Sequence, residues 1–535
     1  MRRSLLLSFT ALTLNACGDS GNTTAAGTES ATGTQTGSAS TGDSTPTSNG
    51  PDSTPTTDNS GTGTATGTSD PSTGTATTTV STGSDPSTSG DPSTSGSTGN
   101  VSASTSTSGG TTVGVSDSTG GESSGGPAPI CGDGLLDVGE ECDDGNAIDK
   151  DSCSNTCKLV PCDQQEGGGG NFDFSYIWIA NSGQGTVSKI DTTTLKEVGR
   201  YRTDALQGSS PSRTAVNVDG RYAAVANRTA GSVTLYAADP DDCIDKNANG
   251  MIETSTGPGD IKPWGQDECQ LWNVKVNPSN NNNDQKGPRP LGWDFDDQDP
   301  QTCEFKTQTL WMGWYGQPGD AYFWHLDIDG KLIAEVKVPV WGNKNSWGPY
   351  GGAVDKNHDF WVAGWHGPLV RINHADNTFT MWNDPMLNQV SSYGMALDGE
   401  GDPWFGGCGG QVVTFDTKNQ KFINVGNPGG CLRGLMVDGE NRGWIAKNGG
   451  NGCLVQVDTV NNTIVNPNIN LPGCITTVGV SIDIEGFVWV VDQSAQLAFK
   501  VDPDTLAAQT VGGLVGPYTY SDMTGAGIRL QALPQ

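Results

Sequence analysis

One unit recurs through the second half of the chain and limits what the chain can become. Residues 348–363 read GPYGGAVDKNHDFWVA, 392–406 SYGMALDGEGDPWFG, 432–446 LRGLMVDGENRGWIA and 477–491 TVGVSIDIEGFVWVV. In each copy an Asp precedes a Trp by six residues: Asp355 and Trp361, Asp398 and Trp404, Asp438 and Trp444, Asp483 and Trp489. A turn and a second apolar run follow, closing on Asp416, Asp458 and Asp502 in three of the copies. A period of about 40 residues is the mark of a solenoid or propeller. Each copy reads as four antiparallel strands. The first ends in the Asp, the second carries the Trp, the third ends in Asp or Asn, and the fourth is a short β-rich run such as 379–383. Such meanders set around an axis leave only short, protected edges.

Counting copies predicts an all-β chain of seven blades. Residues 176–203 begin at a Trp strand and lack a first strand, and 517–525 look like that missing strand, so the C-terminus should close the ring. Blade two spans 212–239, blade three about 288–339, and blades four to seven begin at Gly348, Ser392, Leu432 and Thr477. In an antiparallel meander the turn between strands two and three lies at the same end as the link to the next blade. Cys408 and Cys453 stand in the former, Cys431 and Cys474 in the latter, so all four should share one face. Cys408–Cys431 and Cys453–Cys474 are the expected pairs, with Cys431–Cys453 the competing one. Residues 239–270 form an insertion between strands three and four of blade two, bracketed by Cys243 and Cys269, which should pair. Cys162 and Cys303 are left for each other.

The first third of the chain is different material. Between Phe9 and Phe172 there is no aromatic residue, which argues against a packed core there. Residues 1–16 have a basic start, Arg2 and Arg3, and an apolar run, the pattern of a signal peptide. They end in Leu14-Asn15-Ala16-Cys17, which resembles a bacterial lipobox; that resemblance implies a lipid on Cys17 and a membrane held through the anchor alone. Residues 17–129 are rich in Ser, Thr, Gly, Asp and Pro and cannot offset the entropy of ordering, so they read as a disordered tether. Residues 130–162 hold Cys131, Cys142, Cys153 and Cys157 in a segment too small for a core; disulfides fit better than zinc, since Cys131 and Cys142 make no knuckle. Asp143, Asp144, Asn146, Asp149 and Asp151 could cup a cation or simply cap turns. The pattern resembles the cysteine-rich repeat of myxobacterial surface proteins, which implies an extracytoplasmic module and no chemistry. Residues 163–171 are a short linker before the propeller at 172–535. The net charge of −31 excludes nucleic acid and electrostatic attraction to anionic lipid. A monomer of the cell envelope, at the outer membrane or cell surface, is expected.

Few residues suggest chemistry. Within the insertion, Asp245, Asn247, Asn249, Gly250, Met251 and Glu253 match the first nine positions of an EF-hand-type loop, with oxygens at one, three and five, Gly at six and the Met251 carbonyl. Thr256 stands where such loops place a bidentate Glu; calcium in a structural role is expected, against a plain Asx-rich turn. Trp178, Trp311, Trp361, Trp404, Trp444 and Trp489 should be core, because they recur at one strand position. Trp314, Trp341, Trp347 and Trp365 stand off that register and should reach a loop or the axial mouth. All four histidines, His325, His358, His366 and His374, lie within fifty residues without metal-ligand spacing; only His366, in a second turn, is a weak catalytic candidate.

The runs WIANSGQGTVSKIDTTTLKEVGRY and GPYGGAVDKNHDFWVAG resemble YVTN/NHL-type propellers and, among enzymes, virginiamycin B lyase. The resemblance implies the fold; folds of this kind carry many functions. It also implies an alternative activity, that of a divalent-metal lyase or lactonase-like hydrolase. Such lyases use a His and magnesium-binding carboxylates on one face; these have no assignable position in this sequence, and none is carried over. The leading expectation is a non-enzymatic binding propeller for a glycan or peptide. Carboxylates and a His converging on the axis would favour the enzyme.

Overall fold

The computed structural model describes residues 130–143, 145, 153–162 and 175–533, apart from 277–284, 297, 300–302, 304, 317–318 and 343–346. The signal segment, Cys17, the tether and the 163–171 linker lie outside the described residues, as do four members of the 143–151 cluster, Asp144, Asn146, Asp149 and Asp151.

Seven sheets surround one axis. Blade one is β1 (Tyr176–Asn181), β2 (Thr186–Asp191) and β3 (Lys196–Arg202); blade two is β4 (Pro211–Val216), β5 (Tyr222–Asn227), β6 (Ser232–Ala237) and β7 (Gln270–Lys275). Blade three is β8 (Leu291–Phe295), β9 (Gln308–Tyr315), β10 (Ala321–Leu326) and β11 (Leu332–Val338), and blade four β12 (Pro349–Val354), β13 (Phe360–Gly364), β14 (Leu369–Ile372) and β15 (Phe379–Trp382). Blade five is β16 (Ser392–Leu397) to β19 (Lys421–Gly426), six β20 (Cys431–Val437) to β23 (Thr463–Ile469), and seven β24 (Thr477–Ile482) to β27 (Ala508–Gly512). Within each, strands pair in sequence order and antiparallel. The insertion falls between β6 and β7, as its position in the repeat predicts.

The C-terminus closes the ring along β1. Pro517 bridges to Asn181, Tyr518 N donates to Ala180 O at 2.8 Å, and Trp178 N donates to Met523 O at 2.9 Å. The inner strands nest backbone against backbone. A Cβ on Gly479 would collide with Thr519 O, and one on Gly394 with Arg433 O, which explains the glycine four residues before each repeat Asp.

The six-residue spacing has a local cause. One carboxylate oxygen of Asp398 accepts the Glu400 and Asp402 amides at 3.0 Å each, closing the turn, while the other takes Trp404 Nε1 at 2.8 Å. Asp355, Asp438 and Asp483 do the same for Trp361, Trp444 and Trp489 at 2.8, 2.9 and 2.8 Å. All six register tryptophans are buried between blades. Trp314 and Trp341 are core as well, contrary to the expectation for off-register residues: Trp314 stacks on Tyr322 and Trp341 packs on Phe323. Trp365 and Trp347 do reach the axial mouth.

Sequence reading misses two short helices, α1 (Pro385–Val390) between blades four and five, and α2 (Ala526–Ala532) beyond the closing strand, which lies against β8, β12, β16 and β20. Arg529 Nε donates to Val218 O at 3.1 Å and Gln531 Nε2 to Asp398 O at 2.7 Å, so the helix is tied to blades two and five. It plugs the axis at the end where first strands finish. A small apolar chamber lies beneath it, lined by Leu291, Trp293, Val354, Met395, Met436 and Ile528.

Replacing Asp398 by Ala strands the Trp404 indole and two turn amides. Unmet buried donors cost about 1–3 kcal/mol each and the amides are part-buried, so a loss of about 3 kcal/mol is expected in denaturant unfolding, against less than about 0.5 for the exposed Glu400→Ala.

Candidate functional site

The propeller has two unlike faces. One, the plug face, carries α2, the turns between strands one and two and between strands three and four, and the insertion. The other carries the remaining turns and is the cysteine face. Cys408 pairs with Cys431 and Cys453 with Cys474 there. Cys243 pairs with Cys269, and Cys162 with Cys303. In the small module Cys131 pairs with Cys157 and Cys142 with Cys153, leaving no thiolates for zinc. Asp143 organises that module. Desolvation opposes its ionisation, but amides of Gly145, Gly134, Gly132 and Asp133 hold its carboxyl below the ordinary range. Glu140, Asp143 and Cys157 come together as metal ligands might, yet Cys157 is spent in a disulfide.

The insertion loop folds on its own oxygens. Asp245 accepts the Asn249 and Gly250 amides, Asn247 accepts the Asn249 amide, and Asn249 accepts the Met251 amide. Glu253 accepts from the Asn247 amide group at 2.9 Å. Gly250, at φ 83°, makes the sharp turn. Glu268, buried below, receives the Lys246 and Glu253 amides at 2.9 and 2.6 Å and fixes the loop to its disulfide base.

At the cysteine face the axis is filled by aromatic and cationic side chains from the starts of the inner strands. Tyr350, Tyr393 and Tyr520 pack with centroids 5.4, 4.6 and 5.9 Å apart, and Trp365 lies 5.1 Å from Tyr350 and 5.2 Å from Tyr393. Arg213, fully buried, sits 3.0 Å from the Tyr520 ring centroid and donates to Ser212 O and Tyr350 O, while its Nε donates to nothing. Burial lowers its pKa, against the pull of Tyr520 and Tyr350, and nearby Arg289 lowers it further. Arg289 lies 5.1 Å from the Trp347 ring. Arg433, half-exposed, lies over Tyr393 with its Nε also unused. Among the described residues no carboxylate pairs with Arg213 or Arg433. His366 is exposed beside this mouth, within 3.4 Å of Asn388 O and Ser391 Oγ and near no nucleophile setting.

The other three histidines meet where sequence reading saw nothing, at the seam of blades three and four on the plug face. Gly292 pairs with Trp311 as Ala353 pairs with Trp361, so Asp294 is blade three's copy of the repeat Asp. It does not hold its Trp: Trp311 Nε1 is buried without an acceptor. Instead Asp294, 2% exposed, has Oδ1 2.9 Å from His358 Nδ1 and Oδ2 2.9 Å from His374 Nδ1 and 4.0 Å from His325 Nε2. The Oδ2 contacts meet a distance and not the direction of a hydrogen bond, so this oxygen stays unsatisfied. His325 stacks on Trp311 at 4.2 Å and contacts Thr309 Oγ1 at 2.6 Å. Burial drives its pKa down to about 4, with Asp294 opposing and His374 adding, so the imidazole is neutral. His358 has φ 67°, where the matching turns use Gly401, Asn441 and Gly486. That substitution is the sequence signal that marks the seam.

Residues 128–158 match the family model described as Domain of unknown function (DUF4215). No curated protein sequence matches the chain. A streptogramin B lyase structure aligns at 13% identity and TM-score 0.42, over 59% of this chain and 87% of that one. Virginiamycin B lyase from Staphylococcus aureus aligns at 14% and 0.35, over 43% and 73%. A functionally unknown protein from Desulfotomaculum acetoxidans aligns at 8% and 0.44, over 64% and 98%. These likenesses concern architecture alone.

Proposed function

We propose that the protein is a surface-tethered lipoprotein whose propeller is a binding module, taking a carboxylate-bearing glycan or peptide at the cysteine-face mouth. The observation that carries this reading is the pair Arg213 and Arg433, set among Tyr350, Tyr393, Tyr520 and Trp365 with no carboxylate partner. A buried guanidinium left without an anion is costly, and a planar fork suits a carboxylate held against aromatic rings. Against the lyase or hydrolase alternative, no histidine lies on the axis among the described residues, and the axial Asp522 is occupied by amides of Thr524, Gly525, Gly527 and Ile528. Cys17 anchors the chain; a Cys17→Ser variant that still partitions into detergent would remove the anchor from this reading.

Calcium is proposed as a structural ion at Asp245, Asn247, Asn249, the Met251 carbonyl and Glu253. Added calcium should raise the melting temperature of the wild type and not of Asp245→Ala; no shift in the wild type rejects the ion. The mouth is tested with a glycan and peptide array. Acidic glycans or free peptide carboxylates should bind, neutral or amidated counterparts should not, and Arg433→Ala should weaken binding about tenfold or more, the worth of one charged hydrogen bond. Preference for neutral ligands, or indifference to Arg433, overturns it.

A further inference from the structure

The seam of blades three and four is broken in a way that packing does not explain. A histidine cluster kept only for stability would satisfy its carboxylate and leave the indole its usual acceptor. Here buried Asp294 Oδ2 makes no directed hydrogen bond, only charge contacts to His374 and His325, and Trp311 Nε1 has no acceptor, as is also true of Trp178 Nε1 in blade one, although the repeat joins their counterparts in blades four to seven. In addition, His358 occupies a backbone position that disfavours it, with its ring on Asp294. Three of the chain's four histidines thus face one carboxylate.

We propose that Asp294, His325, His358 and His374 bind a divalent transition-metal ion of the zinc class. Imidazole with a single carboxylate suits zinc, nickel or copper rather than calcium or magnesium. Ligands about 2.1 Å from a tetrahedral ion stand roughly 3.4 Å from each other. Asp294 Oδ2 stands 2.9 Å from His374 Nδ1 and 4.0 Å from His325 Nε2, on either side of that edge, and Oδ1 stands 2.9 Å from His358 Nδ1. Among the described residues no three of these ligand atoms lie within 4.8 Å of one another, so the rings have to turn for all to reach one ion. The two outer rings can make that movement, with His374 45% and His358 27% exposed, and the same exposure admits the ion. His325 is held by Trp311 and turns its Nε2 from Thr309 to the ion. The backbone at His374 is fixed, since Asp359 Oδ1 accepts its main-chain amide at 2.9 Å. The ion would be distinct from calcium, because the insertion loop offers only oxygen.

The experiment is titration of the purified full chain with zinc, followed by calorimetry and by competition with a chromogenic chelator, and repeated with cobalt to read the visible absorption of a tetrahedral site. One zinc per chain and a tetrahedral cobalt spectrum are expected. His374→Ala, whose ring is half-exposed and spares the fold, should weaken zinc at least tenfold, and H358A/H374A together on the order of a hundredfold. His366→Ala should change nothing. Absence of saturable zinc binding overturns the site, and so does binding that survives H358A/H374A, which would be adventitious. Thermal melts of each variant separate loss of ligand from loss of fold.

Discussion

The bond between a repeat Asp and the indole six residues on is what the other features lean on. It joins a turn to the next strand and fixes the largest side chain of blades four to seven at one depth, so that these neighbours meet on equal surfaces. Because the carboxylate is buried, it must be fully occupied, and two turn amides with one indole occupy it. A ring made of such units needs no helix or cofactor to hold its pitch. It also makes the blades that lack the bond conspicuous: blade two has Ala224 in place of the Trp, Trp178 of blade one has no acceptor, and in blade three the Asp faces histidines instead.

How much could be read from the chain depended on how local the cause was. Asp398 and Trp404 are bound to each other across one turn, so their spacing is a direct print of the contact. Cys408 and Cys431 were legible through topology, since the meander places both loops at one end. Asp294 was not: the longer loop before Trp311 hides its kinship with Asp355, and its partners come from β10 and from two turns of blade four. His358 did carry a sign, a histidine where the other copies use Gly or Asn, but its meaning depends on knowing what faces it. The helix α2 is short and has no amphipathic period to read. Arg213 and Arg433 sit in unremarkable strand starts, and only the ring brings them to a common axis.

The axis itself is asymmetric. At one end α2 and the apolar chamber seal it with hydrophobic packing and main-chain hydrogen bonds. At the other, guanidinium and phenol groups are stacked with spare donors. On the proposed reading a ligand meets the axis from this side, where the chemistry is positive in a chain that is otherwise strongly acidic. Long-range repulsion would slow an anionic ligand while the mouth itself attracts it, so binding should quicken as salt rises and screen the outer charge before the contact weakens.

The Cys162–Cys303 disulfide has a mechanical consequence. Strand β1 is the partner of the closing C-terminal segment, so a pull transmitted through residues 163–174 alone would shear the ring at its only non-covalent seam. The bridge makes the loop before β9 the first point of the propeller to take tension from the chain preceding Cys162. Strain is then borne by blade three, whose neighbours are continuous with it in sequence, and the closure is shielded. The same attachment lies on the plug face, opposite the cationic mouth.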